Sequence, residues 1–146
     1  MNVTSSEIER VLKPLVATPH RLTSASHCLE YMRLHVKLDE NPWSANDILA
    51  HLRACADVWG NSILATIAQN NPTLRYVSPR TWMRKTDYSE LEFSASLLAF
   101  TQQRYELLRS LNALVVKDWS RSATFTATTT RTPTDGLQLC AADSAT

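Results

Sequence analysis

The chain has 146 residues, which is the length of one domain. Its 15 basic and 14 acidic residues give a formal net charge of +1, and this balance argues against general binding to polyanions such as nucleic acids. Only two glycines occur, Gly60 and Gly136, which disfavours glycine-rich phosphate-binding loops and folds with many tight hairpins. The composition therefore favours a helical globule.

The first predicted helix covers about residues 5–17. Ser5 or Ser6 is the expected N-cap, and apolar residues recur at helical spacing behind it. Pro14 is expected to kink or weaken this helix, and Pro19 is expected to end or redirect it.

A second helical pattern covers residues 22–36, and the clearest start signal follows it. Ser44 and Asp47 have the spacing of a capping box, with Asp in place of the usual Glu or Gln. Apolar residues then occupy one stripe for more than five turns, and this helix is expected to end near residues 70–72.

Residues 74–85 are predicted to form a loop with four basic and two aromatic side chains, among them Arg80 and Trp82. Such a loop can hold an acidic ligand or a single-stranded nucleic acid by charge and stacking. The nearly balanced net charge favours instead a loop that closes one end of a helical bundle. Asp87 or Ser89 is then expected to cap a third long helix.

The apolar stripe of this third helix is wide and is interrupted once, by Arg104. A stripe of this width needs more than one packing partner, as in a bundle. The Ser- and Thr-rich residues 120–134 could suggest a strand, but with no second strand to pair we predict a polar connection. Residues 1–133 are therefore assigned to a helical bundle domain, and residues 134–146 to a divergent, irregular or disordered tail.

The residues Trp-Ser-Ala-Asn-Asp-Ile-Leu-Ala-His-Leu at 43–52 open the second long helix. Together with Thr18-Pro19, Trp82 and Trp119, their order resembles that of the DinB/YfiT-like superfamily over about residues 5–133. The resemblance implies an all-α, up-down-down-up four-helix bundle that is often dimeric. It also implies a divalent metal held by three histidines.

The resemblance places one of these ligands at His51 and the other two in an H-x-x-x-H pair on the fourth helix. No histidine follows His51 in this sequence, so the fourth helix is predicted to be truncated or replaced. Either the codons after Pro133 are read in a shifted frame or the tail has diverged, and the nucleotide sequence decides between the two. The apolar stripes of the three helices are wide enough to pack in a four-helix bundle, so without a fourth helix some apolar side chains stay exposed. We therefore expect a monomer of marginal stability, or a dimer or aggregate that covers these side chains.

Three imidazoles suit Zn, Ni or a similar divalent ion. Asp47 and Cys55 lie four residues before and after His51, on the same helix face, and can add a carboxylate and a thiolate. A capping role for Asp47 and a core position for Cys55 are the simpler interpretations. The predicted substrate pocket combines these flanking residues with side chains from the second long helix and the basic loop: Asp47, Cys55, Trp59, Arg80 and Trp82.

Two functions are compatible with these features. The first is a metal-dependent enzyme of hydrolase or thiol-transferase type that acts on a small molecule and is impaired in this chain. The second is a non-catalytic helical dimerisation domain or a degenerate remnant. No residue is assigned a catalytic role. The cysteine spacing fits no disulfide framework and no signal peptide or membrane span is evident, so we expect a cytoplasmic protein without membrane partners. The balanced charge argues against nucleic-acid partners, and the family resemblance implies a homodimer.

Overall fold

A computed structural model describes residues 2–126 and 130–131. Its helices are α1 (Ser5–Ser26), α2 (Tyr31–His35), α3 (Ala45–Ala68), α4 (Pro79–Lys85) and α5 (Phe93–Asn112), followed by a 3₁₀ helix (Val116–Ser120). Three short strands, β1 (Thr73–Leu74), β2 (Ala123–Phe125) and β3 (Thr130–Arg131), form one sheet in the order β1-β2-β3. Strand β2 pairs in parallel with β1 and antiparallel with β3. No helix in the described part of the chain is both long and apolar enough to cross a membrane.

The long helices α1, α3 and α5 form the body of the molecule, because α5 packs against both α1 and α3. Two clusters of buried apolar side chains hold these helices together. The larger one joins α1, α3 and α5 to Trp119 and the sheet, and the smaller one joins α2 to the first halves of α3 and α5. The sequence-based division at residue 133 stays a prediction, because the tail lies outside the described residues.

Helix α1 continues through both of its prolines, so the predicted end near residue 17 is wrong. Each proline removes one backbone hydrogen bond, but Leu15 and Pro19 are buried in the packed helix, and this burial outweighs the loss. The hydroxyl of Thr18 also donates to the carbonyl of Pro14 at 2.7 Å. The N-cap is Thr4, one residue before the predicted position.

Helix α3 begins as the sequence predicts. The Oγ of Ser44 accepts from the backbone N–H of Asp47 at 3.1 Å, and the carboxylate of Asp47 accepts from the backbone N–H of Ser44 at 2.9 Å. This reciprocal capping box satisfies two backbone donors that a helix start would otherwise leave without partners. The helix ends at Ala68, close to the predicted Asn-Asn-Pro stop.

The segment predicted as a loop over residues 74–85 contains helix α4, so that part of the prediction is wrong. The start signal is present in the sequence: Ser78 caps the helix by accepting from the N–H of Thr81, and Pro79 occupies the first turn. Helix α4 packs against α3 and thereby carries Trp82 toward the middle of α3.

The predicted polar connection after residue 120 is also wrong, because Ala123–Phe125 form strand β2. Ala123 and Phe125 are buried while Thr124 between them is half-buried, which is the two-residue period of a strand. Its parallel partner β1 lies fifty residues earlier in the chain. A strand pairing of only two residues is too short to leave a recognisable pattern in the sequence.

Helix α5 is capped by Glu92 without a side-chain hydrogen bond, rather than by Asp87 or Ser89 as predicted. Arg104 does not interrupt the buried face of α5, since it is itself only 3% exposed. Its guanidinium donates to the backbone carbonyl of Leu15 at 3.2 Å and lies 4.9 Å from the ring centre of Phe100. The arginine therefore links α5 to α1.

Candidate functional site

His51, the predicted metal ligand, lies half-buried on the second turn of α3. Its Nε2 is 3.5 Å from the Sγ of Cys55, one turn further along the helix. The indole ring of Trp43 lies on its other side, with 5.2 Å between the ring centres. An imidazole and a thiol are therefore in contact, as their spacing of four residues predicts.

Asp47 does not complete this pair as a third ligand. One carboxylate oxygen of Asp47, Oδ2, accepts from both the backbone N–H and the hydroxyl of Ser44, at 2.9 and 3.0 Å. The contacts of Asp47 in the structure are therefore those of a helix cap. Cys55 is buried in the larger core cluster, in agreement with the simpler interpretation of that residue.

The other histidines have different surroundings from His51. His20 and His27 are exposed, and His35 stacks on Tyr31 and accepts the backbone N–H of Phe93 through its Nε2. Among the described residues there is no group of three His, Cys, Asp or Glu side chains arranged to hold an ion. The residues present therefore do not fit a centre built from three histidines.

The remaining predicted pocket residues have different neighbours in the structure. Trp59 is buried in the larger core cluster, where its ring lies 6.0 Å from that of Tyr76 and 6.4 Å from that of Phe125. Arg80 lies over the ring of Trp43, with 5.4 Å from its guanidinium carbon to the ring centre. Trp82 lines a cavity on the α4 side of α3.

Asp57, which is absent from the predicted site residues, has a carboxylate that joins four parts of the chain. Its Oδ2 accepts from the indole N–H of Trp82 on α4 at 2.9 Å and from the hydroxyl of Tyr88 at 2.5 Å. Its Oδ1 accepts from the amide of Gln103 on α5 at 2.8 Å. Its three hydrogen-bond partners lie 25, 31 and 46 residues away in the sequence, so no local motif could have singled it out.

The guanidinium of Arg53 packs against this network. It lies 3.9 Å from the ring centre of Tyr88 and donates to the hydroxyl of Ser96 at 3.1 Å. Burial of the Tyr88 phenol, together with its hydrogen bond to the Asp57 carboxylate, raises the pKa of Tyr88 to about 12. The phenol therefore stays protonated and donating at neutral pH.

The cavity beside this network has a volume of about 350 Å³ and opens to solvent. It lies between the second half of α3, strand β1 and helix α4. Its lining is largely apolar, with a few polar and charged side chains: Asp57, Val58, Asn61, Ser62, Ala65, Leu74, Arg75, Val77 and Trp82. The volume falls within the range of about 300–1,000 Å³ that is typical of small-molecule sites.

Comparisons with known proteins match this chain at the level of family and fold. The family model described as the DinB superfamily matches residues 15–145, which extends beyond the predicted domain boundary at residue 133. Among solved structures the chain is similar to YfiT from Bacillus subtilis, described as a probable metal-dependent hydrolase with an unusual four-helix bundle topology. The two are 15% identical with a TM-score of 0.83 over 98% of this chain and 82% of YfiT. No curated protein matches the chain.

Proposed function

This chain belongs to the DinB superfamily, and we propose that it is a member in which divalent-metal-dependent chemistry on a small molecule is impaired. The predicted superfamily resemblance and the predicted all-α bundle are both confirmed by the family match and the likeness to YfiT. The description of YfiT as a probable metal-dependent hydrolase applies to YfiT. Hydrolase or thiol-transferase chemistry is the type of reaction that we propose to be impaired here.

One observation carries this proposal: the sequence holds no histidine after His51. Catalytic zinc sites commonly have three protein ligands, which keep the ion bound while one position stays open for water or substrate. In this chain His51 has Cys55 as a neighbouring soft ligand, whereas the carboxylate of Asp47 is engaged by the helix cap. Two ligands on one helix hold zinc or nickel more weakly than three from two helices.

The metal content of the purified full chain tests the proposal. The protein is incubated with zinc or nickel, dialysed and measured by inductively coupled plasma mass spectrometry, alongside His51→Ala. His27→Ala is the matched control, because His27 is an exposed histidine away from α3. We expect clearly less than one ion per chain in all three proteins. One ion per chain in the wild type and in His27→Ala, lost in His51→Ala, would refute the proposal.

A dimerisation domain is the second candidate, and the outer face of α5 favours it. Leu98 and Tyr105 are 70% and 67% exposed, and they lie seven residues apart, on the same side of the helix. Large exposed apolar side chains in one row are typical of protein–protein contacts. Sedimentation equilibrium is expected to show a dimer that Leu98→Asp dissociates, while Lys13→Asp on the exposed side of α1 does not affect it. A wild-type monomer at high protein concentration would contradict this second function.

A further inference from the structure

The cavity beside Asp57 has one wall whose orientation is fixed. The indole N–H of Trp82 is held by the Asp57 carboxylate at 2.9 Å, so the ring keeps its position on the lining. The aliphatic side chains of Val58, Leu74 and Val77 complete the apolar surface. A preformed apolar wall of this kind suits a flat or branched hydrocarbon group.

The carboxylate of Asp57 lies on the same lining but does not make the cavity a cation site. Three side-chain donors already occupy its two oxygens: the indole of Trp82, the phenol of Tyr88 and the amide of Gln103. These donors use three of the roughly four lone pairs of the carboxylate, so little of it remains for a ligand cation. The role of Asp57 is therefore to position Trp82 and to join α4 to α3 and α5.

Arg75 supplies the positive charge at this cavity. It follows strand β1, is exposed, and is the cation among the described lining residues. Its guanidinium makes no hydrogen bond or salt bridge with any residue in the described ranges 2–126 and 130–131, so no carboxylate within those ranges competes for it. A planar guanidinium binds a carboxylate through two parallel hydrogen bonds, which gives both affinity and orientation.

We propose that this cavity binds a small organic carboxylate with an aromatic or branched apolar body. The carboxylate binds the guanidinium of Arg75, and the body packs on the ring of Trp82 and the aliphatic wall. Asn61 on the same lining carries a side-chain amide, which offers a further hydrogen-bonding group. His51 is not part of this lining, so the site does not depend on whether His51 binds a metal.

A carboxylate fits this lining better than a phosphate does. A phosphate group offers three strong acceptor oxygens, and proteins usually satisfy them with several donors or with the N-terminus of a long helix. Here a single guanidinium faces a mostly apolar wall. The hydrocarbon part of the ligand is therefore expected to contribute much of the affinity, through the apolar area that it removes from water.

Titration with 3-phenylpropionate, and with the neutral 3-phenylpropionamide for comparison, tests the proposal in the full chain. The readout is the indole N–H cross-peak of Trp82 in ¹H–¹⁵N spectra, assigned with Trp82→Phe. We expect saturable shifts with the carboxylate and at least tenfold weaker binding of the amide. Arg75→Gln is expected to reduce the affinity for the carboxylate about tenfold and to remove the preference over the amide, which corresponds to the loss of one charge-assisted contact.

Arg84→Gln is the matched control, because Arg84 is an exposed arginine on α4 that does not line the cavity. It is expected to bind the carboxylate like the wild type. Three results would overturn the proposal: no saturable shift of the Trp82 cross-peak, equal affinity for the carboxylate and the amide, or equal losses in Arg75→Gln and Arg84→Gln. Inorganic phosphate that competes as well as 3-phenylpropionate would overturn the role of the apolar wall. None of these results bears on the metal content of the protein, so the two proposals fail independently.

Discussion

Replacement of Asp57 by alanine is expected to be among the most damaging single changes to a polar side chain in this protein. The carboxylate of Asp57 receives hydrogen bonds from Trp82, Tyr88 and Gln103, at 2.9, 2.5 and 2.8 Å. These donors belong to α4, to the segment between α4 and α5, and to α5. Asp57→Ala therefore removes the common acceptor that fastens three parts of the chain to α3.

The size of the effect follows from the number and type of these hydrogen bonds. A hydrogen bond to a charged group contributes about 1.5–3 kcal/mol to stability. The three bonds share one carboxylate and lie in a half-buried region, so water can reach some of the released donors and the contributions do not add fully. We expect a loss of about 3 kcal/mol, a large part of the roughly 5–15 kcal/mol that stabilises a typical domain.

Urea denaturation followed by circular dichroism measures this loss. Asp118→Ala is the control, because Asp118 forms an ion pair with Arg121 at 3.2 Å at the protein surface, where such pairs contribute about 0–1 kcal/mol. A loss below about 1 kcal/mol for Asp57→Ala, indistinguishable from that of Asp118→Ala, would refute the network interpretation. Tyr88→Phe and Trp82→Phe each remove one donor, and each is expected to cost less than Asp57→Ala.

Two further predictions concern pH and helix capping. Because the pKa of Tyr88 is raised from 10.0 to about 12 in the folded state, the unfolded chain releases this proton first as the pH rises. The free energy of unfolding should therefore fall between about pH 10 and pH 12. In Tyr88→Phe the urea midpoint should fall less steeply over that pH range than in the wild type. Equal slopes in the two proteins would contradict the raised pKa of Tyr88. Ser44→Ala should cost about 1 kcal/mol by removing the cap of α3, as measured by urea denaturation, whereas Ser94→Ala, at an exposed position on α5, should cost clearly less.

The start of α3 and the position of His51 could be predicted from the sequence because both depend on local spacing. A capping box needs two residues three apart, and the contact of His51 with Cys55 needs two residues four apart on a helix. Neither depends on how distant parts of the chain meet. The same is true of the wide apolar stripe of α5, which predicted a bundle.

The features that the sequence did not reveal depend on distant partners. Helix α1 passes through Pro14 and Pro19 because the buried face of the packed helix offsets the lost hydrogen bonds. Strand β2 exists because β1 lies beside it, and two residues of β1 carry no periodic signal. Asp57 became recognisable only once α4 and α5 had brought Trp82 and Gln103 to it.

His51 and the proposed carboxylate cavity lie at different positions along helix α3, so changes at the two positions should have separable effects. His51 precedes Asp57 by six residues and Asn61 by ten, which is about 9 and 15 Å along the axis of α3 at 1.5 Å per residue. Removal of the His51 imidazole therefore leaves the cavity wall in place, whereas Asp57→Ala removes the acceptor that holds the indole of Trp82. His51→Ala should keep the wild-type affinity for 3-phenylpropionate, and Asp57→Ala, in molecules that remain folded, should bind it more weakly. Similar losses in both variants would mean that the two positions belong to a single site.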